Sequence, residues 1–466
     1  MTEQKLFAGH AVRRIRRASG LTQAAMAEAI SVSPSYLNFI ERNQRPITAA
    51  VLLRLAERFD FDPRTLTGAA PGGGVEALRR RLADPVFADL NIDRSQLEEW
   101  IAAAPDGAEA FARAYDRGGA GGTSRFDDPV ETARHEIERW RNHYADLDTM
   151  AEALADELRL GSGDLYAAMI DRLRVKHQLS LRILPVDVMP EQLQKLDLHA
   201  RQLQLSELLD AASRSFAVAS QLATLEAKAE IDALVRGAAF AERAAERIYR
   251  RHLVGYFAAA VMMPYARFLR ACESTGYDVE LLQRRFGAGF EQVAHRLTTL
   301  QRVGARGLPF FMIRIDRAGQ ASKRFIGASN APLVAGDARC PLWALHRAFD
   351  RPGEIVAQLV TLADTTLTAP ESRWFTFART VAPQGGRAGQ VQAQFAVGLG
   401  VHADLAGPLA LARGVDLKAG MATPIGLGCR ACPRADCPQR AYAPSGRLLL
   451  FNERERGRSP FSFATD

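Results

Sequence analysis

The chain has 466 residues, 47% of them hydrophobic and 24% charged, an ordinary globular balance that excludes wholesale disorder, a collagen-like chain and a disulfide-rich miniprotein. At roughly 150 residues per domain, about three domains are expected. Sixty Lys/Arg against 53 Asp/Glu give a formal charge of +7 and a pI near 9.3, which suits an anionic partner without choosing between DNA, an anionic cofactor and a membrane surface.

Met1-Thr-Glu-Gln-Lys5 leads into a basic helical stretch with neither the apolar core nor the cleavage site of a signal peptide, so a cytoplasmic location is expected. Leu21 to Ile30 opens with Thr22 as an N-cap and sets Met26, Ala27 and Ile30 on one face of a short helix. A turn at Ser31 to Ser33 follows, and Pro34 then starts a second helix with Leu37 and Ile40 inward and Ser35, Tyr36 and Asn38 outward. Residues 7–60 resemble the helix-turn-helix of the phage-repressor and Cro-like family through Leu21-Thr-Gln23, Met26-Ala27, Ser33, Ser35-Tyr-Leu37, Ile40-Glu-Arg42 and Arg45-Pro46. The resemblance implies that Gln23 clasps a phosphate and nearby bases, while Ser33, Ser35, Tyr36 and Asn38, with Phe39 at the margin, face the major groove. Arg13, Arg17, Arg42 and Arg45, together with Arg14 and Arg16, are candidate phosphate contacts; for each alone the plain alternative is a solvated helix face. Residues 1–67 carry ten Lys/Arg against six Asp/Glu, a charge that agrees with DNA.

Glycine-rich breaks at 68–74 and 118–122 divide the chain into a DNA-binding unit (1–67), a helical linker or dimerisation segment (75–160), a helical core (161–308) and a C-terminal sensory part (309–466). From Val130 to Leu158 the apolar residues recur at spacings of three and four, which reads either as a dimer seam or as a long helix packed within one chain. One strand is expected at Leu179 to Pro185. Beyond Pro309, the runs 310–315, 323–326, 355–362, 373–381 and 391–401 alternate or cluster β-branched and aromatic residues between turns, predicting an antiparallel sheet.

Phe216 to Thr224 and Leu253 to Pro264 resemble the two hallmark helices of the ImmA/IrrE metallopeptidases. The second contains the longest apolar run, about half of the ~20 residues a bilayer span needs, so no membrane partner is expected. A zinc hydrolase of this type requires two histidines one helical turn apart, a glutamate base and a third ligand. Ser220, Gln221, Thr224 and Leu253 stand at the matching positions, and His252 beside them cannot hold a catalytic zinc alone. The frame is therefore read as a pseudo-peptidase with no enzymatic activity, its cleft either open to a small molecule or filled with side chains.

Cys429, Cys432 and Cys437 stand within nine residues, and Cys340 is the candidate fourth ligand, whereas Cys272 reads as a core residue. All-thiolate ligation suits tetrahedral Zn2+ or an iron–sulfur cluster. The spacing does not decide, though prolines after Cys340, Cys432 and Cys437 favour a 4Fe-4S cluster. The fold class that results is mainly α with an α+β C-terminal part: a Cro-like helix-turn-helix, a helical ImmA/IrrE-like core and a small antiparallel-sheet domain with a cysteine-ligated metal site.

The order of these parts, with Arg141-Asn-His-Tyr-Ala-Asp-Leu-Asp148, His295-Arg-Leu-Thr-Thr-Leu-Gln-Arg302, Pro309-Phe-Phe311, Ser322-Lys-Arg-Phe325 and Cys340-Pro-Leu-Trp343, resembles the short-chain fatty acyl-coenzyme A regulators over nearly the whole chain. That resemblance implies a transcriptional regulator that binds operator DNA as a homo-oligomer, dimer or tetramer. Its effector would be a short-chain acyl-CoA of the propionyl-CoA type, and its targets the genes of short-chain fatty acid assimilation. Arg302, Arg306, Lys323 and Arg324 are candidates to meet the CoA phosphates, with ordinary surface charge as the alternative. Two other classes stay open: an iron–sulfur redox-sensing transcription factor, and an ImmA-like metallopeptidase.

Overall fold

The computed structural model describes residues 9–463 apart from 43, 60–73, 83–86, 88–89, 91, 119–127, 162–163, 336–339, 363–371, 383–391, 418–421, 453 and 456. The chain divides between Asp128 and Pro129 into two units.

The first unit begins with α1 (Gly9–Ala18), α2 (Gln23–Ala29), α3 (Pro34–Glu41) and α4 (Ala49–Phe59). Local chemistry sets their ends. Thr22 caps α2 by accepting the Ala25 N–H at 3.2 Å, Ser33 caps α3 by accepting that of Tyr36 at 3.1 Å, and Pro34 occupies the first turn, where its missing N–H costs nothing. Between the helices Ser31 takes a left-handed φ of 52°, and Arg54 from α4 donates to the Ile30 and Ser31 carbonyls at 3.1 Å each. Met26, Ala27, Ile30, Leu37, Ile40 and Leu55 are fully buried together. A separate small cluster, built on Leu78, Leu97, Ala108 and Ala112, joins α5 (Val75–Leu82), α6 (Arg94–Ala103) and α7 (Pro105–Gly118).

The second unit opens with α8 (Pro129–Arg139), α9 (Ala145–Gly161) and α10 (Leu165–His177). The 130–158 stretch is therefore not one helix. Arg141 and Asn142 both sit in the left-handed region, φ 49° and 53°, and two such residues in succession end a helix. Of the stretch's apolar positions, Ala133, Ile137, Tyr144, Leu147, Ala151 and Leu154 are buried in this unit's own core, as the alternative of a segment packed within one chain expects, while Val130 and Trp140 stay exposed. The periodicity passed across the turn because it reports which side of the chain is covered, and both helices pack against the later helix Arg243–Met262.

The strand expected at 179–185 is β1 (Ser180–Leu184), in a three-stranded sheet with β2 (Gln194–Asp197) and β3 (Gln202–Ser206), ordered β1-β3-β2. Then come α11 (Ala211–Glu226), α12 (Lys228–Ala238), α13 (Arg243–Met262), α14 (Tyr265–Thr275), α15 (Val279–Phe286) and α16 (Phe290–Leu297). The expected C-terminal sheet has six strands: β4 (Phe311–Asp316), β5 (Ala321–Phe325), β6 (Val356–Leu362), β7 (Ser372–Val381), β8 (Phe395–His402) and β9 (Thr423–Ile425). Their order is β5-β4-β8-β7-β6-β9, antiparallel except for the β6/β9 pair.

This sheet does not stand apart at 308/309. Along the chain from Phe310, residues alternate between two apolar layers: Phe310 and Met312 join the core shared with α13, α14 and α16, while Phe311, Ile313 and Ile315 join a second cluster with Leu345, Val360 and Trp374. Gly400 allows the strands to close, since a Cβ there would lie 2.6 Å from the Phe311 ring.

Candidate functional site

In the helix-turn-helix the central feature is Glu41, a carboxylate on the last turn of α3 that is 2% exposed. Arg16 holds it in a fork, Nε to Oε1 at 2.6 Å and Nη2 to Oε2 at 3.0 Å; Gln23 donates to Oε2 at 2.8 Å, and Arg13 lies 3.8 Å away. Burial by itself would raise the Glu41 pKa, but Arg16, Gln23 and Arg13 outweigh it and hold the carboxyl below its ordinary value. Arg16 is thus committed to the interior and is not a free phosphate contact. Gln23 also reaches Asn38 Oδ1 at 3.3 Å, so the two residues expected to meet DNA are pre-positioned by a carboxylate that sequence reasoning had not singled out. Ser33 serves as the cap of α3. Ser35, Arg42 and Arg45 are exposed, Tyr36 and Asn38 half-buried, and Phe39 is 43% exposed; together they form one open, polar and cationic face. The side chains of Arg14 and Arg17 lie outside the described residues.

In the second unit α11 and α13 pack against each other as the pseudo-peptidase frame requires. Where zinc ligands would stand, the Gln221 amide donates to Thr224 Oγ1 at 3.1 Å, and Thr224 Oγ1 to the Gln221 carbonyl at 2.7 Å. His252 stacks on Phe325 at 5.6 Å and meets His295 edge-on at 5.6 Å. Burial, with Lys323 nearby, pushes the His252 imidazole down to about 3. Burial first, then His252 and Lys323, puts His295 well below its usual range. Both rings are neutral at physiological pH. His295 Nε2 lies 3.1 Å from the Asn142 amide nitrogen, which also donates to Thr298 at 2.9 Å.

The motifs 141–148 and 295–302 meet here. Arg296, fully buried, donates to Asp148 Oδ1 at 2.6 Å, to the Met263 carbonyl at 3.0 Å and to Thr299 at 3.0 Å, while the Tyr256 hydroxyl donates to Asp148 Oδ2 at 2.7 Å. Asp148, Arg296, Tyr256, Asn142 and His295 thus form a buried polar network beside α13, with His252 Nε2 and Asn142 Oδ1 left without a hydrogen-bond partner.

Three of the four expected CoA contacts lie beside carboxylates. Arg302 pairs with Glu152 at 2.5 Å and lies 4.1 Å over the Tyr265 ring, and Lys323 shares Glu291 at 2.6 Å with Arg314. Arg324 acts on Glu131, and Arg306 is exposed. Carboxylates as far as 150 residues away in sequence neutralise Arg302, which no local pattern announces.

Cys340, Cys429, Cys432 and Cys437 do converge, lining one small cavity. Cys340 lies close enough to Cys432 and Cys437 for each to raise its thiol pKa, after the larger effect of burial. Gly426 is required beside them, because a Cβ there would come within 2.6 Å of the Cys432 sulfur. Beneath the loop, buried Arg440 donates to the carbonyls of Cys429 (2.8 Å), Cys432 (2.9 Å), Arg434 (2.5 Å) and Tyr442 (3.2 Å). This clamp was missed from sequence, though Arg440 stands just three residues beyond the last cysteine. Among the described residues no group of three or more His, Cys, Asp or Glu is arranged as a metal-ligand set. Cys272 is fully buried in α14, away from the cluster's cavity. No described helix is long and apolar enough to cross a membrane.

A capped helix pair with an exposed polar second helix, on a chain whose peptidase frame has lost its ligands, defines a helix-turn-helix transcriptional regulator. Residues 12–66 match the helix-turn-helix family, 175–298 the IrrE N-terminal-like domain, and 299–461 the C-terminal part of the short-chain fatty acyl coenzyme A regulators. The chain belongs to this last family. It is 35% identical to the HTH-type transcriptional regulator RamB of Mycobacterium tuberculosis, covering 98% of both chains, and 35% identical to the propionyl-CoA carboxylase regulator of Cereibacter sphaeroides, covering 98% of this chain and 99% of that one. A solved Mycobacterium tuberculosis transcriptional regulator superimposes with a TM-score of 0.67 at 33% identity, over 72% of this chain and 99% of the other.

Proposed function

We propose that this regulator binds operator DNA through α3 and changes its affinity when a short-chain acyl-CoA binds the second unit, so that genes of short-chain acyl-CoA assimilation follow their own substrate. The observation that carries the reading is the union, in one chain, of an intact DNA-reading face with a C-terminal region of the acyl-CoA regulator family. A ligand can shift DNA affinity only if it binds one state of the protein more tightly than another. The protein acts as a homo-oligomer, since helix-turn-helix units read paired half-sites about one turn of DNA apart. The buried 130–158 residues are not the contact surface.

Cys340, Cys429, Cys432 and Cys437 would hold a 4Fe-4S cluster, with Zn2+ as the alternative. Four thiols on one small cavity, a glycine that leaves room for sulfur and a buried arginine that ties the loop's carbonyls are the donor set and the rigid support such a group needs. When bound, the group cross-links the 340 segment to the 429–437 loop. The pseudo-peptidase frame has no catalytic role. The test is to titrate the full chain with a CoA thioester series while measuring affinity for its own upstream DNA. A response to propionyl-CoA at micromolar concentration supports the reading; a response to oxidant alone, with none to any CoA thioester, favours a redox sensor instead.

A further inference from the structure

In the three-stranded sheet of the second unit, the order β1-β3-β2 leaves one side of β2 without a neighbouring strand. Folded proteins usually protect such an edge with proline, a bulge or a covering element. Here the strand Gln194-Lys-Leu-Asp197 has no proline, and its register with β3 runs without a bulge. Gln194, Lys195 and Leu196 are exposed, as are Val188, Leu193 and Leu198, the last at 73%. The Ser206 N–H donates to the Leu193 carbonyl at 3.0 Å, so Leu193 turns its backbone groups to β3. Alternation along the strand then turns those of Lys195 and Asp197 to β3 as well, and those of Gln194 and Leu196 to the open side. Leu196 stands opposite buried Leu203 and shares its face of the sheet, while Lys195 and Asp197 stand opposite Gln204 and Gln202 on the other face.

This edge is its own complement. A two-fold axis at Leu196 sets an antiparallel copy of the strand with Leu196 against Leu196, and the two outward-facing backbones exchange both N–H···O bonds. The same register sets Lys195 against Asp197 of the second copy, and does so twice. Moving the axis by one residue in either direction brings Lys195 against Lys195 or Asp197 against Asp197, where like charges directly opposite are destabilising. The Ala200 N–H, donating to Asp197 Oδ1 at 2.9 Å, holds that carboxyl below its ordinary value, so it is ionised at neutral pH. Leu198 lies on the Leu196 face by the same alternation, which brings the apolar side chains of the two copies together across the axis.

We infer that β2 pairs with β2 of a second copy of this chain, antiparallel and centred on Leu196, joining the two three-stranded sheets into one. The inference rests on the homo-oligomer reading of the protein and supplies the contact surface which that reading lacked. Four residues of strand are small beside the roughly 1,200 Å² of a stable interface. Exposed Val188, Leu193 and Leu198 widen the contact, and an operator with two half-sites strengthens it by holding two copies together.

The test follows the full chain by sedimentation up to about 50 µM, alone and on its own upstream DNA. Lys195→Asp puts two acids on each strand and Asp197→Lys two bases. Either variant therefore repels itself at both pairs, while a mixture of the two restores opposite charges at both. Expected are a wild-type dimer, association weaker by about tenfold or more in each variant alone, and recovery in the equimolar mixture. Recovery on mixing also shows that both variants are folded. Independently of any variant, the outward Leu196 amide should be protected from hydrogen exchange in the wild-type dimer. Wild-type association in both variants, or a mixture as weak as its parts at unchanged melting temperature, overturns the β2 contact and leaves the homo-oligomer reading standing. So does a wild-type dimer whose Leu196 amide exchanges freely, which would mark the edge as open to an extended segment of another protein. A wild type that stays monomeric both alone and on DNA removes the homo-oligomer reading and the β2 contact with it.

Discussion

Replacing Asp148 by Ala tests the polar network at the heart of the second unit. Both members of the Asp148–Arg296 pair are at most 1% exposed. Loss of the carboxylate strands a charged guanidinium in the core and takes the acceptor from the Tyr256 hydroxyl. Breaking a buried ion pair from one side costs about 3–5 kcal/mol, because the remaining charge is uncompensated. Urea unfolding followed by tryptophan emission in a Trp100→Phe background reports the second unit alone, since Trp140, Trp343 and Trp374 all lie beyond Asp128. Asp148→Leu combined with Arg296→Met should be less damaged than the single variant, as apolar replacement of both charges removes the desolvation cost. Burial alone would raise the Asp148 pKa; Arg296, His143 and Tyr256 reverse this and hold it below the ordinary value. The folded state therefore binds fewer protons than the unfolded chain, and the contribution is full above about pH 4 and lost as pH falls through the depressed value. A loss below about 1 kcal/mol for Asp148→Ala would show that the carboxylate does not neutralise Arg296, and would refute the reasoning.

Tyr36→Ala or Asn38→Ala should relax sequence preference by about 1–3 kcal/mol per lost base contact, whereas Arg42→Ala should weaken all sequences alike and flatten the salt dependence; equal effects on cognate and random DNA for all three would remove α3 from base reading. Ile137→Asp should unfold the second unit, not dissociate an intact oligomer, and light scattering with circular dichroism separates the two outcomes. Serine at Cys429, Cys432 or Cys437 should abolish iron or zinc content by metal analysis, while Cys272→Ser leaves it unchanged; full metal content in all of the cluster variants refutes the ligand set. Stability of the second unit should fall between pH 6.5 and 5, because His252, held near 3 when folded, and His295, held well below its usual range, each take a proton near 6.5 only when unfolded, each adding a slope of at most about 1.4 kcal/mol per pH unit. His252→Phe should lessen that fall, and an unchanged profile would mean that the ring is already protonated in the folded protein.

What sequence reveals here follows the range of the interactions involved. Thr22, Ser33 and Pro34 act within three residues of the groups they satisfy, so α2, the turn and α3 could be placed from local chemistry. The C-terminal strands were legible because period-two alternation is also local, although the parallel β9 at the sheet edge has only three residues and no such signal. Charge was legible as composition and not as partnership. Arg302 and Lys323 look like free cations until Glu152 and Glu291 fold against them, and Arg16 looks like a phosphate contact until Glu41 claims it.

The same distinction accounts for the peptidase frame. Hydrolysis needs specific ligands at specific positions, and here the helix positions hold Gln221 and Thr224, which bond to each other. Packing needs only shape, and α11 and α13 retain it. Removing the metal ligands leaves a cleft lined by helices that still must satisfy buried polar atoms. Asn142, His295, Thr298, Asp148, Tyr256 and Arg296 do so in part by joining the turn after α8 to α13 and the end of α16, while Asn142 Oδ1 and His252 Nε2 are left without a hydrogen-bond partner. These bonds form a polar tie between the segment that enters the unit and the helix that leads into the sheet, so that neither can shift without breaking buried hydrogen bonds to the other.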